Sequence, residues 1–353
     1  MFTALGFDIG GANTKAVCLQ VENGKVLSVG VAVEYFPVWE DPDRLSNALL
    51  ALKETLSAAP DVVGVTMTAE LSDAYQTKRE GVNRILSCVK TAFPHTAISV
   101  LNTDAQMVTV EIAKANPLSV SAANWAATGW LVAQHLPNAV VVDIGSTSTS
   151  IVPIASGKLA AKGKTDLDKL VCGELVYTGS LRTNVAAIVH SIPLRGGVAG
   201  VSSELFAQSG DVHLILGNMG IEDYTSETAD GRGKTLAEAY ARLARVVCAD
   251  TEMLTQQELF DMARYTYAQQ LKQVAAGLSK VYAYTKALAK EVPVVVTGLG
   301  RIFLARKAAQ QIGADKIIEL DQLLPKQAVI ATPAAGIALM AANHFTGEAN
   351  AWM

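Results

Sequence analysis

The feature that most constrains this chain is a glycine hairpin written twice. Leu5-Gly6-Phe7-Asp8-Ile9-Gly10-Gly11-Ala12-Asn13-Thr14-Lys15 returns as Val141-Val142-Asp143-Ile144-Gly145-Ser146-Thr147-Ser148-Thr149-Ser150. Overlaid, Asp8 meets Asp143, Ile9 meets Ile144, Gly10 meets Gly145 and Thr14 meets Thr149. Apolar runs flank both copies, so each reads as strand, acidic residue, glycine turn, strand. Such a tip suits phosphate, because glycine lets the backbone come close and successive N–H groups form an anion-binding concavity. An Asp at the strand end can hold Mg²⁺, which prefers one or two carboxylates completed by water and phosphate oxygens. Lys15 supplies a point charge to the same anion, although its counterpart in the second copy is Ser150. No Gly-x-x-x-x-Gly-Lys-Ser/Thr string occurs, so this is not a P-loop. A single copy would be hard to tell from an ordinary Asp-Gly turn. Two copies, each opening what reads as a domain, argue against that.

A chain of 353 residues has room for two such domains with proper cores. Half of the residues are hydrophobic but only 6% aromatic, so those cores are built from Ala, Val, Leu and Ile. No run approaches the roughly 18 apolar residues of a membrane span. The apolar start is interrupted by Asp8 and lacks a basic lead, which argues against a signal peptide. Cys18, Cys88, Cys172 and Cys248 lie far apart without a Cys-x-x-Cys pair, the usage of a reduced cytoplasm. A net charge of -4 with no basic run argues against nucleic acid as the main partner.

Read in order, residues 16–21 and 26–29 flank Asn23-Gly24, a strong hairpin signal, so the chain opens with a three-stranded meander. Helical spacing follows over 44–58, a buried strand over 62–67, a helix over 82–92, a strand over 98–101 and a helix over 121–135. Pro137-Asn138 marks the expected boundary between a first domain, 1–137, and a second, 138–353. The second restarts with two strands over 140–154. It then carries an irregular insertion over about 163–235, with small strands expected at 175–177 and 212–216. Helices over 235–248 and 256–289, a buried strand over 292–296, a Gly298-Leu299-Gly300 turn, a helix over 302–312, a strand over 316–320 and a helix over 334–343 complete it. Both halves follow β-β-β-α-β-α-β-α, which predicts two related α/β lobes with a cleft between them.

Asp-x-Gly loops opening both halves, with a strand–Gly-x-Gly–helix near the end, resemble the actin/sugar kinase/Hsp70 superfamily. The resemblance implies an α/β fold of two ribonuclease H-like (actin-like ATPase) lobes with a central cleft. It also implies that residues 8–15 and 143–149 hold phosphates and that 298–300 hold adenosine. Asp8 and Asp143 would then carry Mg²⁺, and Gly10, Gly11, Asn13, Thr14, Gly145, Ser146, Thr147, Thr149, Gly298 and Gly300 would line the ligand.

A narrower resemblance rests on longer strings. Met67-Thr68-Ala69-Glu70-Leu71-Ser72-Asp73-Ala74-Tyr75-Gln76-Thr77-Lys78-Arg79-Glu80-Gly81-Val82 is similar to a signature of the hydantoinase A/oxoprolinase-related group. So are Ala123-Asn124-Trp125-Ala126-Ala127-Thr128-Gly129, Gly173-Glu174-Leu175-Val176-Tyr177-Thr178-Gly179 with Leu181-Arg182-Thr183, and Thr228-Ala229-Asp230-Gly231-Arg232. Together they resemble the branch of that group that serves methanofuran biosynthesis and tetrahydromethanopterin-linked one-carbon metabolism. That branch implies a transferase that joins an aminomethylfuran-methyl diphosphate to the phenol oxygen of a tyramine derivative and releases pyrophosphate. The loops would grip the substrate's own diphosphate, with Mg²⁺ as cofactor, Asp8, Lys15, Asp143 and Glu174 as catalytic residues, and small molecules as partners; a homodimer is left open. The alternative is an ATP-dependent small-molecule kinase or a hydantoinase/oxoprolinase-like hydrolase that keeps the three loops in their usual roles. A third reading is a nucleotide-switched assembly protein.

Several further residues attract attention. Glu70, Asp73, Lys78, Arg79 and Glu80 follow the end of a buried strand, where ligands sit in α/β lobes, although a solvated charged loop looks the same. A substrate amine would want a carboxylate from this stretch or Glu174, and a glutamyl carboxylate would want Arg182 or Arg79. Trp125 reads as core or as a platform for the furan. His190, Asp211 and His213 lack a convincing third metal ligand, so a hydrogen-bonded structural His is the expectation.

Overall fold

The computed structural model describes residues 1–352. β1 (Phe2–Ile9), β2 (Asn13–Glu22) and β3 (Lys25–Tyr35) form the expected antiparallel meander. β4 (Val62–Met67), buried at every position, runs parallel to β1, and β5 (Ala97–Leu101) runs parallel to β4. β6 (Met107–Thr109) closes that edge antiparallel to β5. Helices Leu45–Thr55 and Lys78–Ala92 cover one face of this sheet. Their apolar positions fall at helical spacing, so Leu45, Leu49, Leu52, Val82, Ile85, Leu86 and Val89 meet Leu5, Phe7, Ile9, Val63 and Val65 in one core.

The second sheet repeats the plan. β7 (Ala139–Ile144) and β8 (Thr149–Ala155) form its hairpin, and β9 (Lys158–Leu159) and β10 (Leu175–Val176) both pair with β8. β11 (Ser191–Leu194) and β12 (Gly197–Gly200) make a separate two-stranded hairpin. β13 (Val294–Thr297) lies parallel between β7 and β14 (Ile317–Glu319), giving the order β10-β8-β7-β13-β14. The 33-residue helix Gln256–Leu288 buries Val274, Leu278 and Val281 against Val140, Val142, Val294 and Val296. Both sheets are ribonuclease H-like, an antiparallel hairpin extended by parallel strands on the side of the first.

The chain's contacts divide it into two compact units with bounds other than those expected. One unit holds residues 1–139, 152–169 and everything from Leu320 onward; the other holds 140–151 and 170–319. The C-terminal helix Thr332–Thr346, expected in the second domain, packs instead on the first sheet, on the face opposite its two covering helices. The reason lies in two glycines. A Cβ on Gly6 would stand 2.2 Å from the Ala334 carbonyl oxygen, and one on Gly64 would stand 2.6 Å from Ile337 Cγ2. An Ala-rich helix is apolar on most sides, so its own sequence does not say which sheet it covers; the pit at Gly6 and Gly64 does. After it, β15 (Ala351–Trp352) adds to the outer edge of β3.

Val185, Ile192 and Val212 of the insertion share one core with Leu243, Leu259 and Met262 of the helices that follow it. Residues 212–216, expected as a strand, lie mostly in the helix Ser209–Ile215. Every residue of that helix is buried, so an apolar run could not reveal its period, whereas a capping box between Gln208 and Asp211 starts the helix. The helix expected over 302–312 begins with a π-type turn, Arg301–Ala305, and continues as Arg306–Gln311. Among the described residues no helix is long and apolar enough to cross a membrane.

Candidate active site

The first hairpin puts Asp8 at the end of β1, directly across from Lys15 on β2 and from Thr66 on β4. Residues paired in this way share a face, so the three side chains stand in one row. Asp8 is 8% exposed, Lys15 is half-buried, and Thr66 is fully buried. Thr14 pairs with Ile9 and therefore faces the other side of the sheet. The tip closes with Gly10 N–H donating to the Asn13 carbonyl at 3.1 Å. The carbonyls of Gly11 and Ala12 are drawn back by the N–H groups of Val38 and Phe36, at 2.9 and 3.0 Å. The amides of Gly11 and Ala12 make no hydrogen bond among the described residues, so they are available to an anion.

The second hairpin is built alike. Gly145 N–H donates to the Ser148 carbonyl at 3.1 Å, and Asp143 pairs with Thr297 as Asp8 does with Thr66. The hydroxyls of Thr66 and Thr297 are both buried without a partner among the described residues. Here the tip carbonyls are held by residues 180–182: Ser180 N–H reaches the Gly145 oxygen, and the N–H groups of Leu181 and Arg182 reach that of Ser146, at 2.9 to 3.0 Å. Thr149, fully buried, donates its hydroxyl to the Thr178 carbonyl at 2.7 Å. Gly298, at φ 84°, fits against the same strand end, where a Cβ would come within 2.6 Å of Asp143 Oδ1. Gly300 donates its N–H to the Ile144 carbonyl at 3.0 Å. Asp143, Gly145, Ser146, Thr147, Thr149, Gly298 and Gly300 are thus brought together in one unit, and Asp8, Gly10, Gly11, Asn13 and Lys15 in the other.

Among the described residues no group of three or more His, Cys, Asp or Glu side chains is placed to hold a metal by itself. One carboxylate at a strand end beside open amides is the donor set Mg²⁺ uses when phosphate oxygens and water complete its shell. The residues present therefore fit a magnesium ion that arrives with a phosphate ligand, and they do not fit a metal caged by protein alone.

Other expected residues are placed differently. Glu174 is fully buried and accepts the Tyr284 phenol at 2.5 Å, a bond that ties the start of β10 to the long helix. Burial first, and this bond second, hold the Tyr284 hydroxyl well above its usual range. Trp125 is 4% exposed and the Lys169 ammonium lies 3.7 Å from its ring centre, so one ring face is already taken; a free furan platform it is not. His213 is buried with Nε2 3.0 Å from Gln270 and Nδ1 3.1 Å from Asn218. Burial lowers its pKa to about 3, against the Gln270 bond, so it stays neutral. Asp211 pairs with buried Arg242 at 2.7 Å. Gln270 also donates to Thr178 Oγ1 and the Gly179 carbonyl, at 2.9 and 2.8 Å, so this histidine stands behind the loop that braces the second hairpin.

Of the charged stretch after β4, Glu80 is used locally, accepting from Gln76 N–H at 2.9 Å, while Asp73 and Arg79 are exposed. Glu70 is 1% exposed, with Lys78 Nζ 3.4 Å away, and Lys78 bonds Asp166 at 2.8 Å. Sequence reasoning missed Asp166, Lys169 and Tyr284. The helix Asp166–Cys172 exposes Leu167, Leu170 and Val171 and buries Lys169, the inverse of the usual pattern, so no periodicity argument would have found it.

The sequence pattern of the hydantoinase/oxoprolinase family matches residues 61–344. The (4-{4-[2-(gamma-L-glutamylamino)ethyl]phenoxymethyl}furan-2-yl)methanamine synthase of Methanocaldococcus jannaschii is 38% identical over 338 residues, covering 95% of this chain and 96% of that protein. A synthase of the same name from Methanococcus vannielii is 32% identical over 215 residues, 60% of this chain and 95% of that one. Nucleotide-free acetone carboxylase superposes with a TM-score of 0.58 at 12% identity, over 96% of this chain and 70% of that chain, a likeness of fold.

Proposed function

The chain belongs to the hydantoinase/oxoprolinase family, and from that premise we propose that it is a transferase of the kind its relatives' name describes. It joins an aminomethylfuran-methyl diphosphate to the phenol oxygen of a tyramine derivative such as γ-glutamyltyramine and releases pyrophosphate. The observation that carries this reading is the 38% identity along nearly the whole of a synthase whose named product contains that aryl ether. The geometry of each hairpin supports it, since an Asp-x-Gly tip with open amides suits a diphosphate leaving group.

The furan ring spreads positive charge from the carbon that loses diphosphate, so the enzyme's main task is to stabilise the departing anion. Open amides at a hairpin tip, as those of Gly11 and Ala12 are, suit its oxygens, and Lys15 adds a fixed charge beside Asp8. Such preorganised donors act where charge develops, which is where they lower a barrier most. Asp8 and Asp143 are the residues that would hold Mg²⁺, and the ion would neutralise phosphate charge. Gly298 and Gly300 keep the Asp143 strand end in place by packing, and Glu174 holds the strand next to Thr149 through Tyr284. The test is an incubation of the protein with the furan diphosphate, γ-glutamyltyramine and Mg²⁺ without ATP. Ether and pyrophosphate in equal amounts are expected; ATP-dependent phosphorylation or hydrolysis in their place would refute the reading.

A further inference from the structure

The proposed reaction needs a group to take the phenol's proton, and neither hairpin offers one that is not engaged with the diphosphate. Glu70 lies just past the end of β4, in the single turn Ala69–Leu71. That end is joined to the first hairpin, with Thr68 N–H donating to the Ile9 carbonyl at 2.9 Å. The Glu70 side chain is wholly buried, and neither carboxylate oxygen makes a hydrogen bond of good geometry among the described residues. The charged groups that face it are Lys78, from the helix Lys78–Ala92, and Asp166, from the helix Asp166–Cys172. Lys78 lies 3.4 Å from Glu70 Oε1, the distance of an ion pair and not of a good hydrogen bond, while its 2.8 Å contact goes to Asp166.

The charges decide the chemistry. With Glu70 ionised, one ammonium faces two carboxylates, and the excess negative charge falls on the one that is buried. A proton on Glu70 leaves a neutral carboxyl beside a matched Lys78–Asp166 pair. Asp166, a quarter exposed and holding the shorter contact, is the poorer place for that proton. A cationic ligand is disfavoured too, because the Lys78 ammonium would repel it. What the arrangement suits is a neutral donor that can give up a proton.

We propose that Glu70 is the general base of the transfer, accepting the proton of the acceptor's phenol; this rests on the ether-forming reading above. The phenol O–H breaks and its proton passes to a Glu70 oxygen. The phenol oxygen forms its bond to the furylmethyl carbon as the bond from that carbon to the diphosphate oxygen breaks, and pyrophosphate leaves with the electron pair. Glu70 then returns its proton to solvent. Entry of the acceptor parts the Lys78–Asp166 pair, which is partly exposed and therefore weakly held. Burial pushes the Glu70 carboxyl up to about 7, with Lys78 opposing and Asp166 adding to the rise. A base with a pKa near the working pH is the efficient kind.

The experiment is the pH profile of kcat/KM for ether formation in wild type, Glu70→Gln, Asp166→Asn and Lys78→Met, using γ-glutamyltyramine and a ring-fluorinated form whose phenol ionises more readily. In wild type a rising limb is expected near pH 7. Glu70→Gln is expected to lose about 10²- to 10⁴-fold and that limb, with the fluorinated acceptor recovering about tenfold of the loss. Asp166→Asn is expected to move the limb to lower pH and Lys78→Met to higher pH, a readout that holds even if Glu70→Gln does not fold. A wild type that makes no ether overturns the functional reading and this assignment with it. Ether formation with a limb indifferent to Asp166 and Lys78, or a Glu70→Gln enzyme with unchanged rate and profile, overturns the Glu70 assignment alone.

Discussion

The two hairpins share their covalent plan and differ in what surrounds them. Each closes with a 3.1 Å bond from its first glycine, and each sets its Asp beside a buried Thr on the neighbouring parallel strand. Around the first, the ionisable groups are close at hand, with Lys15 across from Asp8 and the Glu70–Lys78–Asp166 group beyond the end of β4. Around the second, the bracing groups are Thr178, Ser180, Gln270, His213 and two glycines, with the Arg182 amide among them. A phosphate grip can be duplicated because it is made of backbone. Proton chemistry depends on side chains, and in the reading proposed above it falls to Glu70, in the first unit.

Acid and base should therefore unsettle the two units in opposite senses. His213 has its pKa lowered to about 3 by burial, so the unfolded chain binds its proton first as the pH drops. Its stabilising neutral state is fully present above about pH 6.5 and is lost below it, at about 1.4 kcal/mol per pH unit and about 5 kcal/mol at most. Glu70, raised by burial to about 7, has the reverse sign. Stability is greatest below its unfolded value near 4.3 and falls as the pH rises toward 7, by about 4 kcal/mol at most. Denaturant titrations across this range should show His213→Gln flattening only the acid fall and Glu70→Gln only the neutral one. If one substitution flattened both, the separation of the two units would be lost.

Next in size is the effect on turnover. Asp8→Asn and Asp143→Asn should each lower pyrophosphate release by about 10² to 10³, the usual cost of removing one aimed electrostatic group. Added Mg²⁺ should restore part of each loss. A large effect from one and none from the other would mean that the second copy is scaffold only.

How much of this was legible beforehand depended on where the information lay. Asp8, Asp143 and their glycines were visible because a backbone grip leaves a local signature in consecutive residues, and the Gly298-Leu299-Gly300 turn for the same reason. The partner of the C-terminal helix was not, because Ala334 and Ala338 are small and apolar like their neighbours, and the information sat more than 260 residues away in Gly6 and Gly64. The sequence around Glu174 does not point to its phenol partner, because Tyr284 is 110 residues distant. Glu70 was noticed as one charge among five. Only its burial and its distance from Lys78 set it apart from Asp73 and Arg79.

A smaller and sharper contrast lies in the equivalent threonines of the two second strands. Thr149 gives its hydroxyl to the Thr178 carbonyl, so Thr149→Val leaves that oxygen unsatisfied in a buried place and should cost about 1–3 kcal/mol. Thr14 is equally buried, but its hydroxyl has no partner among the described residues, so Thr14→Val should be neutral or stabilising by up to about 1 kcal/mol. Thermal melts of the two variants should differ in sign. Equal losses would show that Thr14 has a partner of its own and that the hairpins are braced alike.

The smallest expected change in stability bears most directly on what the hairpins share. Thr66 and Thr297 occupy the same register beside Asp8 and Asp143, are at most 1% exposed, and carry hydroxyls with no partner among the described residues. A buried hydroxyl without a partner is a burden on folding, so Thr66→Val and Thr297→Val should leave stability unchanged or raise it by less than about 1 kcal/mol. If the hydroxyls meet their partners only when the magnesium diphosphate arrives, both variants should also raise KM for the furan diphosphate by about three- to tenfold, the worth of one net hydrogen bond. Stability and affinity would then move apart, as they do when a group is kept for a ligand and not for the fold. Two variants that gained stability at unchanged KM would instead mark these hydroxyls as packing within the sheets, and the grip would reduce to the carboxylates, Lys15 and the open amides.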